Sequence, residues 1–382
     1  MVEVFDLMDE WGPEKVLAVY DTRTGMKGAV VIDNTARGMG KGGCRMAPDV
    51  TLWDCFRLAR VMTWKWALAD IFLGGAKAAI VADPKAASKE EIVRAFVRAV
   101  RKLLPDEYVF GNDMGFDEED EAIIIDECGG DMRVAVGTPR ELGGVPYDEL
   151  GLTGYGVAEA TEVAAEHLGI ELEGATASIQ GLGAVGSFAA KFLHEKGARI
   201  ICISSISGAL YDPEGIDIDE LLKLKQEFRD AAVREYSGGK LLPLGDELTL
   251  DVDILIPAAK GDVITGDNVN AIKAKMIVEG ANFPVTAVAE AVIQQSHRLL
   301  VPDIIANAGA AIATGKAMDN RYSCMAPDID ELYDAIKSII RRNVGMILDE
   351  ASRKNQSPRG VALNIAKERV LKAMKLRRRI LA

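Results

Sequence analysis

Three lysines and one aspartate stand in surroundings unusual for exposed charge. Lys41 lies in Gly40-Lys41-Gly42-Gly43, Lys65 in Met62-Thr63-Trp64-Lys65, Lys77 directly after Gly74-Gly75-Ala76, and Asp113 in Gly111-Asn112-Asp113-Met114-Gly115. An isolated lysine is ordinarily a solvated surface group. Lysines set among Gly, Ala and Trp without an adjacent acid fit a partly dry cleft instead. There, clustered ammonium groups lower one another's pKa, so one can act as a base near neutrality while others hold carboxylates. Asp113 supplies an acid for the same chemistry. The three histidines, His167, His194 and His297, fall outside these motifs. Proton transfer is therefore expected from lysine and carboxylate, and this set of residue types calls for no metal. The same scarcity argues against a hydroxy-acid enzyme run by a histidine–carboxylate pair.

A second constellation is Gly181-Leu182-Gly183-Ala184-Val185-Gly186, a G-x-G-x-x-G run with a β-branched stretch before it and a helical pattern after it. That context marks a dinucleotide fingerprint. Gly181 serves the tight turn, Gly183 the close approach of a pyrophosphate, and Gly186 the packing of helix on strand. Ala184 and Val185 open the helix whose N-terminus receives the anion. The next strand ends in Ser204-Ser205-Ile206-Ser207, without the acid that reads an NAD ribose. A 2′-phosphate meets no repulsion there and Ser205 can bond it, so NADP is expected ahead of NAD.

The elements that must position these residues are legible as patterns. VLAVYDT and AVVIDNT read as strands, ARGMGKGGCRMAPDV as irregular chain, residues 51–69 as an amphipathic helix, Leu73–Lys77 as a break, and AAIVADP as a strand. Trp53, Trp64 and Trp66 are expected at that helix's interface. KEEIVRAFVRAVRKLL is a helix with acids first and bases last, as the macrodipole favours. A glycine- and proline-rich seam at 129–153 precedes alternating helices and apolar strands, the mark of a parallel sheet with crossover helices. The expectation is an α/β protein of two domains. The first comprises residues 1–150 completed by helices 325–382, the second is a Rossmann domain over 151–324, and the active-site cleft lies between them.

Composition bounds the rest. The 382 residues are 49% hydrophobic and carry a formal net charge of −13, which disfavours nucleic acid and anionic membrane as partners. No apolar run approaches the roughly 18 residues of a membrane span. The acidic start lacks a signal peptide's pattern, and five cysteines (44, 55, 128, 202, 324) without a C-x-x-C pair fit a reducing cytoplasm.

In chain order, KGGCRMAP (41–48), MTWKWAL (62–68), LGGAKAAI (73–80), GNDMG (111–115), LTGYG (152–156), QGLGAVG (180–186), GALYDPEG (208–215), EGANFPVT (279–286) and PDIIANAG (302–309) resemble the glutamate, leucine, phenylalanine and valine dehydrogenase superfamily. The resemblance implies NAD(P)-dependent oxidative deamination of an L-amino acid to a 2-oxo acid and ammonia, by a hexameric or octameric homo-oligomer. It implies Lys65 on the substrate α-carboxylate, Lys77 as the base that activates water, and Asp113 as the proton shuttle. Thr153 and Asn282 would lie near the nicotinamide and its ribose, and Asn307 near the substrate. In the glutamate type a lysine at the position of Lys41 and a hydroxyl at that of Thr314 grip the side-chain carboxylate, which points to glutamate. Ala78 and Ala79, small as in the leucine type, keep a branched-chain substrate as the alternative. A catalytically silent nucleotide-binding protein is the remoter one, since packing alone demands none of Lys65, Lys77 and Asp113. Ser205→Asp is expected to move the NADP-to-NAD ratio of kcat/KM towards NAD, and an unaltered ratio removes Ser205 from the ribose site.

Overall fold

The computed structural model describes residues 4–296, 298–323 and 325–379, so His297 and Cys324 lie outside the described residues. The chain forms two compact units. One comprises Met1–Pro146, Thr314–Leu332 and Leu363–Ala382, the other Tyr147–Ala313 and Tyr333–Ala362.

The first unit is built on a mixed sheet of β1 (Lys15–Tyr20), β2 (Lys27–Asn34), β3 (Gly40–Lys41), β4 (Cys44–Met46), β5 (Gly74–Ile80) and β6 (Tyr108–Val109). The order is β1-β2-β5-β3-β6, with β4 also pairing β5. Helices α1 (Leu52–Ala69), α2 (Lys89–Val100) and α3 (Glu118–Glu127) accompany it. Thr51 and Asp54 form a capping box that starts α1, and Asp117 and Asp120 do the same for α3. Tyr108, Phe96, Phe110, Ile80, Met46, Ile124 and Val134 fill the core around the sheet.

Two expectations change here. The glycine-rich run contains strands β3 and β4, and Gly74–Lys77 belongs to β5 rather than to a break, so Lys77 sits within a strand. The reason is close approach. A side chain at Gly75 would run into Thr63 of α1, and one at Gly42 into the Ala76 carbonyl. These glycines let helix and neighbouring strand press on the sheet; they do not interrupt it. Of the three tryptophans, Trp64 and Trp66 are buried as expected, whereas Trp53 is 45% exposed in this chain and packs on Phe56.

In the second unit, α4 (Leu152–Leu168) precedes β7 (Thr176–Gln180), α5 (Ala184–Glu195), β8 (Arg199–Ser205), β9 (Gly208–Tyr211), α6 (Ile218–Phe228), α7 (Ala232–Glu235) and β10 (Lys240–Leu242). There follow β11 (Ile254–Pro257), β12 (Met276–Val278), α8 (Ala287–Gln295), β13 (Leu299–Val301) and α9 (Asp303–Ala306). The sheet order is β10-β9-β8-β7-β11-β12-β13. Strands β8, β7, β11, β12 and β13 run parallel, while β9 and β10 add an antiparallel edge that the alternating pattern did not announce. β7 lies between β8 and β11, the switch point at which such sheets bind ligands. Helices α10 (Gly309–Asn320), α11 (Ile329–Lys354) and α12 (Pro358–Leu376) complete the chain. No helix among the described residues is long and apolar enough to cross a membrane.

A buried ion cluster ties the end of this sheet together. Arg359 of α12 bonds Glu290 and Asp303, each at 2.7 Å, and also Glu279. Asp303 in turn accepts the Phe283 N–H at 3.0 Å. Arg359→Met strands three carboxylates and is expected to lower the unfolding free energy by roughly 3–5 kcal/mol in urea titrations. Burial, reinforced by Asp303 and opposed by Arg359, pushes the Glu279 carboxyl up to about 8. A carboxyl raised on folding contributes stability that is complete below the ordinary glutamate range and lost as pH rises through the folded value. Glu279→Gln is expected to flatten the fall in unfolding free energy from about pH 5 to 8.

Candidate functional site

In the first unit, β-sheet register brings the charged residues together. Lys41 is opposite Gly75, and Lys77 opposite Val31, so the two lysines occupy adjacent strands two residues apart in register. Both are almost fully buried, as is Lys65 on α1. Beside Lys65, the Trp66 indole donates to the Lys41 carbonyl at 3.0 Å and fixes β3 against α1. The Lys77 ammonium reaches Asp113 at 2.5 Å. Arg45 of β4 approaches the same carboxylate through Nε at 3.2 Å and Nη2 at 3.3 Å. A tight bridge between Asp113 and Phe116 shapes the loop that presents the acid.

The electrostatics follow from this packing. Burial would raise the Asp113 carboxyl, but Lys77 and then Arg45 overcome it and hold the group at about 2. Asp113 is therefore an anion at rest, beside Lys77. Burial, the dominant influence, lowers the Lys41 ammonium to about 7; Glu121 opposes this, while Arg321 and Lys77 add to it. The Lys41 ammonium donates to the Phe110 carbonyl. Thr314 is 9% exposed, at the point of α10 where the adjoining Gly315 lies against Ile71. Arg45, Arg321 and Glu121 are charged members of the site that sequence reasoning missed. Arg45 had a signal, since it falls inside the KGGCRMAP motif. Arg321 had none, because only tertiary packing brings it near β3.

The second unit arranges the nucleotide residues. Gly181 has φ +103°, a conformation side chains avoid. A Cβ on Gly186 would press into the Gly181 carbonyl, whereas one on Gly183 would meet nothing within 4 Å. The three glycines thus divide into turn, open approach and helix packing. Gly183 caps α5 without a side-chain bond, which leaves the first N–H groups of Ala184 and Val185 for an anion. A buried network supports the loop. Gly181 N–H donates to the Ser204 hydroxyl at 3.2 Å, and Ser204 and the Gln180 amide donate to Glu247. These residues fit a dinucleotide pyrophosphate.

Asn307 donates to the Gly280 and Ala281 carbonyls, both at 3.2 Å, and to Asn282 at 3.0 Å, so these two asparagines form one constellation. Thr153 lies beside Gly309, where any Cβ would clash with the Leu152 carbonyl. Ser205 ends β8 as expected, but its hydroxyl donates to the Asp230 carbonyl at 2.6 Å and accepts from Ser207 N–H at 3.0 Å. Donation to a 2′-phosphate requires breaking the first of these bonds. Two cations missed in the sequence stand close by. Lys225 donates to Ser187 at 2.6 Å and to the Gly183 carbonyl at 3.2 Å, and Arg234 donates to the Ser207 carbonyl at 2.7 Å. His167 meets Ser352 at 3.1 Å, away from these groups. Cys44, Cys55, Cys128 and Cys202 are buried free thiols. No group of His, Cys, Asp or Glu suited to a metal occurs among the described residues.

This geometry separates two kinds of glycine. Gly183→Ala is expected to leave thermal unfolding unchanged while weakening NADPH binding, followed by nucleotide fluorescence, at least tenfold. Gly186→Ala should instead cost about 1–3 kcal/mol through overpacking against the Gly181 carbonyl, read as a lower Tm.

Comparison with known proteins identifies the family. Residues 143–378 match the model for Glutamate/Leucine/Phenylalanine/Valine dehydrogenase, and residues 13–129 that for the Glu/Leu/Phe/Val dehydrogenase dimerisation domain. The glutamate dehydrogenase of Aeropyrum pernix is 38% identical over 357 residues, 90% of this chain and 85% of that protein. The NADP-specific glutamate dehydrogenase of Saccharolobus shibatae is 37% identical, over 90% of this chain and 83% of its own. Among solved structures, the leucine-bound hetero-hexameric glutamate dehydrogenase of Thermus thermophilus superposes with a TM-score of 0.85 at 29% identity, covering 96% of this chain and 90% of that one. With a lysine–aspartate pair in one unit and a G-x-G-x-x-G loop in the other, this chain belongs to the Glu/Leu/Phe/Val dehydrogenase family.

Proposed function

We propose that this chain catalyses the reversible NAD(P)-dependent oxidative deamination of L-glutamate to 2-oxoglutarate and ammonia. The observation that carries this reading is the buried Lys77–Asp113 ion pair at 2.5 Å, with Lys77 close enough to act on Lys41 electrostatically. The reaction needs a cation for each carboxylate, a base for water and a proton carrier for the amine. Lys65 takes the α-carboxylate; Lys41 and the Thr314 hydroxyl take the γ-carboxylate. Asp113, an anion at rest, accepts a proton from the substrate ammonium, and Arg45 holds its carboxylate in place as that charge is lost. A nicotinamide cofactor, held by the Gly181–Gly186 loop with Thr153 and Asn282 beside its ring and ribose, would supply the acceptor for the Cα hydride. Lys77, once it has released its proton to solvent, deprotonates the water that attacks the imine carbon, and Asp113 returns the proton it took from the substrate to the departing ammonia.

The unit around Lys41, Lys65, Lys77 and Asp113 is read as the substrate-binding and oligomerisation domain, and the unit around Gly181–Gly186 as the nucleotide-binding domain. Thr153 and Asn282 attend the nicotinamide and its ribose, and Asn307 braces Asn282. NADP is favoured over NAD because β8 ends without an acid and Arg234 lies at the following turn. The dimerisation-domain match over residues 13–129 supports a homo-oligomer, which we read as a hexamer or octamer in the cytoplasm.

A spectrophotometric screen of L-amino acids with NAD and NADP tests the activity directly, and absence of reduced cofactor with every one refutes it. Lys77→Ala is expected to lower kcat by at least about 1,000-fold while NADPH still binds. Lys41→Leu should cut kcat/KM for glutamate by about 10²–10³ and spare uncharged amino acids. An equal loss for all substrates takes Lys41 away from the side chain.

A further inference from the structure

Glu121 is completely buried in α3, and among the described residues neither of its carboxylate oxygens has a hydrogen-bond partner. It shares the inward stripe of the helix with Ile124, Ile125 and Cys128. The neighbouring acids have other tasks. Asp117 accepts the N–H groups of Glu119 and Asp120, and Asp120 pairs with Lys89 at 2.6 Å. Tyr108, which also faces Glu121, gives its hydroxyl proton to the Gly42 carbonyl at 2.8 Å, and Cys44 is the other titratable neighbour. The cation that acts on Glu121 is Lys41. Lys41, for its part, faces Glu121, Arg321 and Lys77. A buried carboxylate without donors persists only by taking a proton or by facing a cation.

We propose that Glu121 is the internal counter-charge of Lys41 and sets how strongly the site prefers a dicarboxylic over an uncharged substrate. The proposal rests on Lys41 as the side-chain carboxylate clamp. Without substrate, Lys41 and Glu121 hold one proton between them and are neutral together. A γ-carboxylate adds a buried anion, so it is held only when the pair takes a second proton from solvent, leaving a Lys41 cation and a neutral Glu121 acid. A substrate with an uncharged side chain needs no such proton. Burial drives the Glu121 carboxyl well above the ordinary range, against the pull of Lys41, which brings that second proton within reach. Binding of the dicarboxylate relative to the uncharged analogue therefore weakens as pH rises. Replacing the carboxylate by an amide removes the competing anion and leaves Lys41 to the substrate.

The test is the pair of dissociation constants for 2-oxoglutarate and 2-oxovalerate, which share a chain length and differ in the distal carboxylate. Calorimetry on the NADPH-loaded protein measures them between about pH 6 and 9. Titrations common to both ligands cancel in the ratio. Glu121→Gln is expected to raise the preference for 2-oxoglutarate about tenfold or more at the alkaline end, converging on the parent protein at the acidic end. In a Lys41→Leu background the same substitution should move the ratio less than about twofold. A ratio that Glu121→Gln leaves unaltered at every pH, or alters equally with and without Lys41, overturns the proposal. Binding of 2-oxovalerate reports that each variant is folded, and Glu121→Met substitutes for any glutamine variant that is not. A parent protein that binds 2-oxovalerate alone refutes the glutamate reading, while a gain of 2-oxoglutarate binding in Glu121→Gln still upholds the counter-charge.

Discussion

The removal of lysine ammonium groups from water is the constraint on which the first unit depends. An ammonium in a dry interior is tolerated only beside an anion or strong acceptors. Lys77 finds Asp113, and Lys41 finds the Phe110 carbonyl together with the field of Glu121. The glycines at 42, just after β3, and at 75 in β5 follow from the same requirement. Without side chains at Gly42 and Gly75, α1 and the neighbouring strand close tightly over the lysines and exclude solvent. Trp66 then locks the Lys41 backbone by its indole N–H. Charge, glycine placement and aromatic packing thus serve one end: a small volume in which proton affinities differ from those in water.

In the second unit the proposed task is different, the reception of a phosphate by backbone. Its loop is held from below by a network through Ser204, Gln180 and Glu247, so the turn at Gly181 is preset before any ligand arrives. The buried Arg359 cluster stabilises the ends of other parallel strands in the same sheet, where Asp303 fixes Phe283 and Asn307 fixes Asn282. Rigid elements hold each of these groups, which is what recognition by oriented N–H and amide donors requires.

Much of this was legible in the chain. The motifs around Lys41, Lys65, Lys77, Asp113 and Gly181–Gly186 were readable because each combines a chemically capable residue with neighbours too small or too apolar for a surface. The alternation of helix and strand after residue 150 was readable because burial on both faces produces apolar runs. Glu121 was less visible for a local reason. It lies in Asp-Glu-Glu-Asp-Glu, where acids are expected to favour the helix N-terminus and its dipole. Yet its spacing of three and four from Ile124 and Ile125 places it on the buried stripe, a signal that an acid-rich helix start conceals.

The chain by itself determined which residues could do the chemistry, in what order they occur, and which segments are helices or strands, since these rest on side-chain type and local periodicity. Only the tertiary structure decided which charges meet. Lys77 became a strand residue because Gly74 and Gly75 are packing surfaces rather than breaks. The Ser205 proton went to Asp230, 25 residues away. Arg45, Arg321 and Glu121 joined the lysines through register and helix facing. A hydrogen bond or a Coulomb interaction depends on distance and burial across elements far apart in sequence, and neither quantity is encoded in spacing along the chain.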